Sequence, residues 1–229
     1  MNKYTRYLTF ILIIGFSLIP LFFSLPFRIH LDVSWEGTYR LYLGQVPYKD
    51  FGMPIGYGFF IFPLLAFYVF GPTLKALLIS QAIVNIITTF TFRAIVKKLG
   101  LNEERSLIAI LVFLLSYSFM YFWPWYNFTA IMFELIGLYF LLLLSNSESA
   151  KRNYMYLAGS AFFIFLTFFT KQDYGGLAFT FALIIIAYIS WLKKRWIFLP
   201  AFILFYAVSV ALIILPFIST DFSYWFNVG

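Results

Sequence analysis

Apolar stretches long enough to cross a bilayer recur from one end of the chain to the other, separated only by short polar breaks. About 20 apolar residues, rising 1.5 Å each, cover the roughly 30 Å of hydrocarbon in a membrane. Such runs occupy residues 7–25, 73–95, 106–122, 128–144, 154–170, 177–192 and 197–216. A backbone inside lipid must satisfy its own hydrogen bonds, so runs of this kind predict helices and the chain reads as an all-α membrane protein. Composition removes the main competitor: 63% of the 229 residues are hydrophobic and 32 are Phe, far from the balance of a soluble single-core domain. The first run follows Lys3 and Arg6 as a signal peptide would, but it is longer than an ordinary h-region and no small-x-small site precedes the polar loop. It predicts a retained first transmembrane helix.

One further apolar segment, residues 55–70, opens with MPIGYG, contains Pro63 and closes on Gly71 and Pro72, so it either crosses or lies at the interface. The positive-inside rule separates the two choices, because they place the later basic groups on opposite faces. If the segment does not cross, Lys3, Arg6, Arg93, Lys97, Lys98, Arg105, Lys151, Arg152, Lys193, Lys194 and Arg195 are all cytoplasmic, which is 11 of the 16 basic residues. If it crosses, all but Lys3 and Arg6 move outside. The predicted architecture is therefore a single membrane domain over residues 1–229, with about seven transmembrane helices and the N-terminus in the cytoplasm. Its largest loop, residues 26–72, is extracytoplasmic and carries a short amphipathic helix near 34–43 and an interfacial segment at 55–70.

Several chemistries are excluded at once. With no cysteine there is no thiolate nucleophile and no Cys-ligated metal, and His30 alone makes no His cluster. The net charge of +7 lies in small groups between apolar runs, where topology determinants belong, and predicts no nucleic-acid partner. GMPIGYG lacks both the strand-to-helix setting and the GK[ST] of a nucleotide loop.

The acids are distributed unevenly. The stretch DVSWEGTYRLYLGQVPYKDF, residues 32–51, holds Asp32, Glu36 and Asp50, and on a helix Asp32 and Glu36 share a face and could act together on a proton or a cation. With Arg28, Arg40 and Lys49 in the same loop, the alternative is a solvated segment with local ion pairs. Glu134 falls inside the fourth run, where a charge costs about 2.5–3.5 kcal/mol and marks either a cavity or a hydrogen bond between helices. TKQDYGG puts Lys171, Gln172 and Asp173 at the outer end of the fifth run. There Lys171 either holds a lipid phosphate as a point charge or anchors the interface, paired with Asp173. Trp125, in the aromatic turn YFWPWYN, suits an interfacial belt or a platform for a sugar ring.

The order of these features resembles a known family. A first span, an outer loop reading WEGTYRLYLGQVPYKDF, an apolar Pro- and aromatic-rich segment ending FGP, and a long span ending KKLG are similar to the GT-C membrane glycosyltransferases. The likeness is greatest to the branch of protein O-mannosyltransferases and the lipid A aminoarabinose transferase, and KQDYGG resembles a segment of their bacterial relatives. The resemblance implies a multi-pass protein of the bacterial inner membrane that moves a sugar from a polyprenyl-phosphate donor to a lipid, glycan or protein acceptor on the outer side. An acid of the first outer loop deprotonates the acceptor hydroxyl, which attacks the anomeric carbon in line as the lipid phosphate leaves, and the configuration inverts. Carried over residue by residue, Glu36 matches the second acid of the family pattern, while Trp35 stands where the first would be. Asp32, one turn earlier, is the stand-in, and Asp50 matches the acid of PY.D. Lys171 and then Arg40 are the cations expected at the leaving phosphate, with Gln172, Asp173, Glu134 and Trp125 as further binding residues. Some of these enzymes need no cofactor and others use a divalent cation such as Mg or Mn, for which two carboxylates would supply hard oxygen ligands. Family members are commonly longer, so the chain reads as an N-terminal fragment or a minimal membrane module. The rival functions are a transporter or flippase of polyprenyl-linked glycans and a non-catalytic assembly partner.

Overall fold

The structure is a computed structural model and describes residues 3–22, 31–47, 49–52, 55–117 and 123–215. Among the described residues no strand forms, and one isolated bridge joins Pro47 to Phe51. The helices are α1 (Lys3–Leu18), α2 (Leu31–Tyr42), α3 (Ile61–Phe70), α4 (Leu74–Lys98), α5 (Glu103–Tyr117), α6 (Tyr126–Ser145), α7 (Ala150–Thr170), α8 (Gln172–Lys193) and α9 (Phe198–Ile214). Short 3₁₀ turns extend α1 through Ile19–Phe22 and lead into α3 through Tyr57–Phe60. Among the described residues five helices are long and apolar enough to cross a membrane: Lys3–Phe22, α4, α6, α7 and α8. At 17 residues α9 is shorter, and α5 has 15, the rest of its expected span (residues 118–122) lying outside the described residues.

Local chemistry sets the ends. Gly71, at φ 78°, takes a backbone conformation that L side chains rarely adopt and ends α3. Two residues on, Thr73 caps α4, its Oγ1 accepting from the Ala76 N–H at 3.2 Å. Lys97 and Lys98 fill the last turn of α4, where cations oppose the negative end of the helix dipole. Between α7 and α8 a single extended residue, Lys171, breaks the run. The helix resumes at Gln172 rather than at the expected 177, because Gly175 is a packing glycine and not a turn: a Cβ there would overlap the Phe168 backbone.

Contacts group the chain into two compact units, Met1–Val46 with Phe59–Phe128, and Pro47–Gly58 with Thr129–Gly229. In the first, α4 packs on α1, α3 and α5, and α2 packs on α3. Ile13, Ile110 and Leu114 form one buried cluster with Phe16, Phe90 and Phe92 around them. A second cluster gathers Phe67, Leu77 and Trp123 with Trp35 and Tyr42. A polar row runs through α4: Ser80, Gln81, Asn85, Thr88 and Thr89 are all buried, with Gln81 donating to Asn85 Oδ1 at 2.7 Å and Thr89 back-bonding to the Asn85 carbonyl at 2.8 Å. Turning hydroxyls and amides inward keeps them away from lipid. In the second unit α7 packs on α8 and α9 over Leu157, Ile164, Ala178, Ala182, Ile186 and Phe202, with Leu141 and Leu144 of α6 in the same cluster.

Candidate functional site

The expected amphipathic helix is α2, and its two sides differ sharply. Ser34 and Thr38 are fully buried, Ser34 Oγ donating to the Pro124 carbonyl at 2.9 Å and Thr38 Oγ1 to the Ser34 carbonyl at 2.5 Å. Gly37 lies so close to Phe60 that an added Cβ would sit 2.5 Å from the ring, so a side chain there would have to displace it. Trp35 meets Phe67 edge-on at 5.2 Å and Tyr42 does so at 6.1 Å, fixing the rotation of the helix. That rotation turns Glu36 outward together with Arg40, one turn on. Arg40 Nη2 and Nε reach Glu36 Oε1 at 2.6 and 2.9 Å, so both bonds fall on one carboxylate oxygen. The Glu36 side chain is 57% exposed, and a pair this open contributes only about 0.2–1 kcal/mol to stability. Asp32 belongs to α2 one turn before Glu36, but its side chain lies outside the described residues, as do Arg28 and Tyr48.

A second polar group forms where α7 meets α8. Lys171 Nζ lies 3.2 Å from Asp173 Oδ2 and 4.2 Å from the centre of the Tyr174 ring, so the ammonium has both an anion and an aromatic face. Asp173, in the first turn of α8, also accepts the Tyr174 N–H at 3.0 Å. The segment carrying Asp50 belongs to this unit, and it docks through glycine: a Cβ at Gly56 would overlap the Phe169 carbonyl. Asp50 itself is exposed, and Gln172 and Glu134 are half-buried on α8 and α6. Trp125, just before α6, tilts against Tyr126 at 4.2 Å.

The structure thus joins Glu36 to Arg40 and Lys171 to Asp173. Asp32, Glu36, Arg40 and Trp125 fall in the first compact unit, Asp50, Glu134, Lys171, Gln172 and Asp173 in the second. Among the described residues no three His, Cys, Asp or Glu side chains gather as a metal site. Two features escaped sequence reasoning, the buried polar row of α4 and the burial of Glu103, which reads as a cytoplasmic loop acid. Arg93 and Lys97, four residues apart on α4, foreshadow the second, because that spacing puts both on one helix face.

The class these features define is a multi-pass, all-helical membrane protein. Comparison of the chain with protein-family models, curated proteins and solved structures gives no match in any of the three.

Proposed function

We propose that the chain is the membrane module of a bacterial inner-membrane glycosyltransferase that takes a sugar from a polyprenyl phosphate and transfers it, with inversion, to an acceptor hydroxyl on the extracytoplasmic side. The observation that carries this reading is the presentation of Glu36 and Arg40: α2 buries Ser34, Thr38 and Leu41 and turns a carboxylate and a guanidinium outward. Nothing about stability requires that pair, since an exposed ion pair contributes little.

In this reading Glu36, aided by Asp32 on the same helix, is the general base. It takes the acceptor proton while the acceptor oxygen bonds to the anomeric carbon and the bond from that carbon to the phosphate oxygen breaks. The leaving phosphate keeps the electron pair and its charge is met by Arg40, one turn from Glu36 on the same helix. A phosphate arriving at Arg40 competes with Glu36 for the guanidinium and releases the carboxylate oxygen for the proton.

The topology proposed with it has seven spans, adding α5 and α9 to the five long helices, with the N-terminus in the cytoplasm. Tyr57–Phe70 has 14 residues, about 21 Å of α-helix, and is short for a crossing, which supports an interfacial role. Because the chain has no native cysteine, single cysteines introduced at exposed positions such as Lys49 and Glu148 report sidedness without background. Labelling from outside at position 49 and from inside at 148 is expected. Transfer is tested with purified protein and polyprenyl-phosphate sugars, comparing wild type with Glu36→Gln and Asp32→Asn. The polar row buried in α4 favours a second reading, a flippase for polyprenyl-linked glycans, since polar groups within a span commonly line a pathway. Movement of the lipid-linked sugar across vesicles without transfer would select it.

A further inference from the structure

The end of the first unit at which α1 begins holds a charge cluster that the proposed function does not use. Glu103 opens α5 and retains only 8% exposure. Its Oε2 lies 3.3 Å from Arg93 Nη2 and its Oε1 lies 3.1 Å from Lys97 Nζ. From α1, Arg6 is near enough for its charge to act on the same carboxylate. Phe10 lies under both guanidinium groups, at 4.8 Å from Arg93 and 5.8 Å from Arg6. Three cations therefore surround one carboxylate, and the nearby exposed residues Lys3, Lys98 and Arg105 outnumber Glu104, so this end is strongly positive. Arg6 is exposed and Lys97 keeps 31% of its side-chain surface, so positive charge of the cluster still faces outward after Glu103 has been satisfied.

The surface running on from these cations is apolar. Tyr7, Leu8, Ile11 and Ile14 of α1 and Ile108 and Val112 of α5 are all exposed along the same two helices. A ligand matched to both parts carries negative charge at one end and hydrocarbon at the other.

We propose that Arg6, Arg93 and Lys97 form a binding place for the phosphate of an anionic phospholipid, whose acyl chains lie along the outward faces of α1 and α5. A phosphodiester accepts charge-assisted bonds from the guanidinium groups and neutralises the excess left by Glu103. The apolar faces distinguish a lipid from free phosphate, which would gain nothing from them. This site is independent of the transferase reading.

The test uses the purified full chain in neutral detergent, with native mass spectrometry and thermal unfolding read against phosphatidylglycerol, phosphatidylcholine of the same chains, and inorganic phosphate. Phosphatidylglycerol is expected to bind and raise the unfolding midpoint, and the other two to do neither at equal concentration. Arg6→Gln removes an exposed cation and should weaken phosphatidylglycerol binding about fivefold, as expected for one charge near a membrane surface. Lys75→Gln, at the opposite end of α4, should leave it unchanged. Equal binding of the two lipids, or binding untouched by Arg6→Gln, would overturn the site. Inorganic phosphate binding as tightly as phosphatidylglycerol would overturn the lipid assignment.

Discussion

Two ion pairs in the same compact unit use the same chemistry for opposite ends. On α2, Glu36 and Arg40 are a helical turn apart and largely exposed. Where α4 meets α5, Glu103 is nearly sealed from solvent and draws Arg93 and Lys97 from a second helix and the charge of Arg6 from a third. The first arrangement is local, needing nothing but a helix, and the second exists only once three helices have packed. Burial makes the second a fastening, because separating its partners strands a charge away from water. Exposure leaves the first free to exchange partners.

The contrast is broken most severely at Glu103. Glu103→Ala leaves Arg93, mostly withdrawn from water, beside an empty place and should cost up to about 3 kcal/mol of stability, read as a lowered midpoint in thermal or denaturant unfolding. Glu36→Gln should act on the other axis, reducing sugar transfer at least about 100-fold while leaving the unfolding midpoint in place. Gly37→Leu is expected to cost about 1–3 kcal/mol, because its side chain must displace Phe60, and to lower transfer as α2 is pushed off its seat.

A pH titration of unfolding sharpens the distinction further. Burial alone would raise the Glu103 carboxyl, but the hydrogen bond from Lys97 and the charges of Lys97, Arg93 and Arg6 outweigh it and hold the carboxyl below its ordinary value of 4.5. A depressed carboxylate contributes its stability fully above its unfolded value and loses it as the pH falls through the folded one. Wild type should therefore lose stability below about pH 4.5 in a component that Glu103→Gln lacks. The smallest effect belongs to the exposed pair, where Arg40→Gln should change stability by less than about 1 kcal/mol.

What the sequence made legible follows from the range of each interaction. Hydropathy runs located the helices to within a few residues, since a span depends on its own composition: the run at 73–95 is α4 at Leu74–Lys98, and that at 128–144 is α6 at Tyr126–Ser145. The amphipathic pattern at 34–43 is α2, and its i to i+4 charges pair as helical spacing requires. Glu103 could not be read in the same way. Its environment comes from α4 and α1, about 10 and 97 residues away along the chain, and no local pattern reports which helices meet. Gly175 shows the opposite failure, a residue whose ordinary role in turns concealed a helix interior that needs the missing side chain. Beyond the helix, the proposed site rests on a resemblance alone, because spacing gives Glu36 a neighbour but gives no substrate.

The measurement closest to the central claim is sugar transfer from a polyprenyl-phosphate donor by the purified chain, with wild type and Glu36→Gln compared at equal folding. Transfer by wild type, with inversion, and its loss in the variant is the predicted result. Equal transfer by both proteins, or none by wild type under conditions in which the donor is bound, would contradict it.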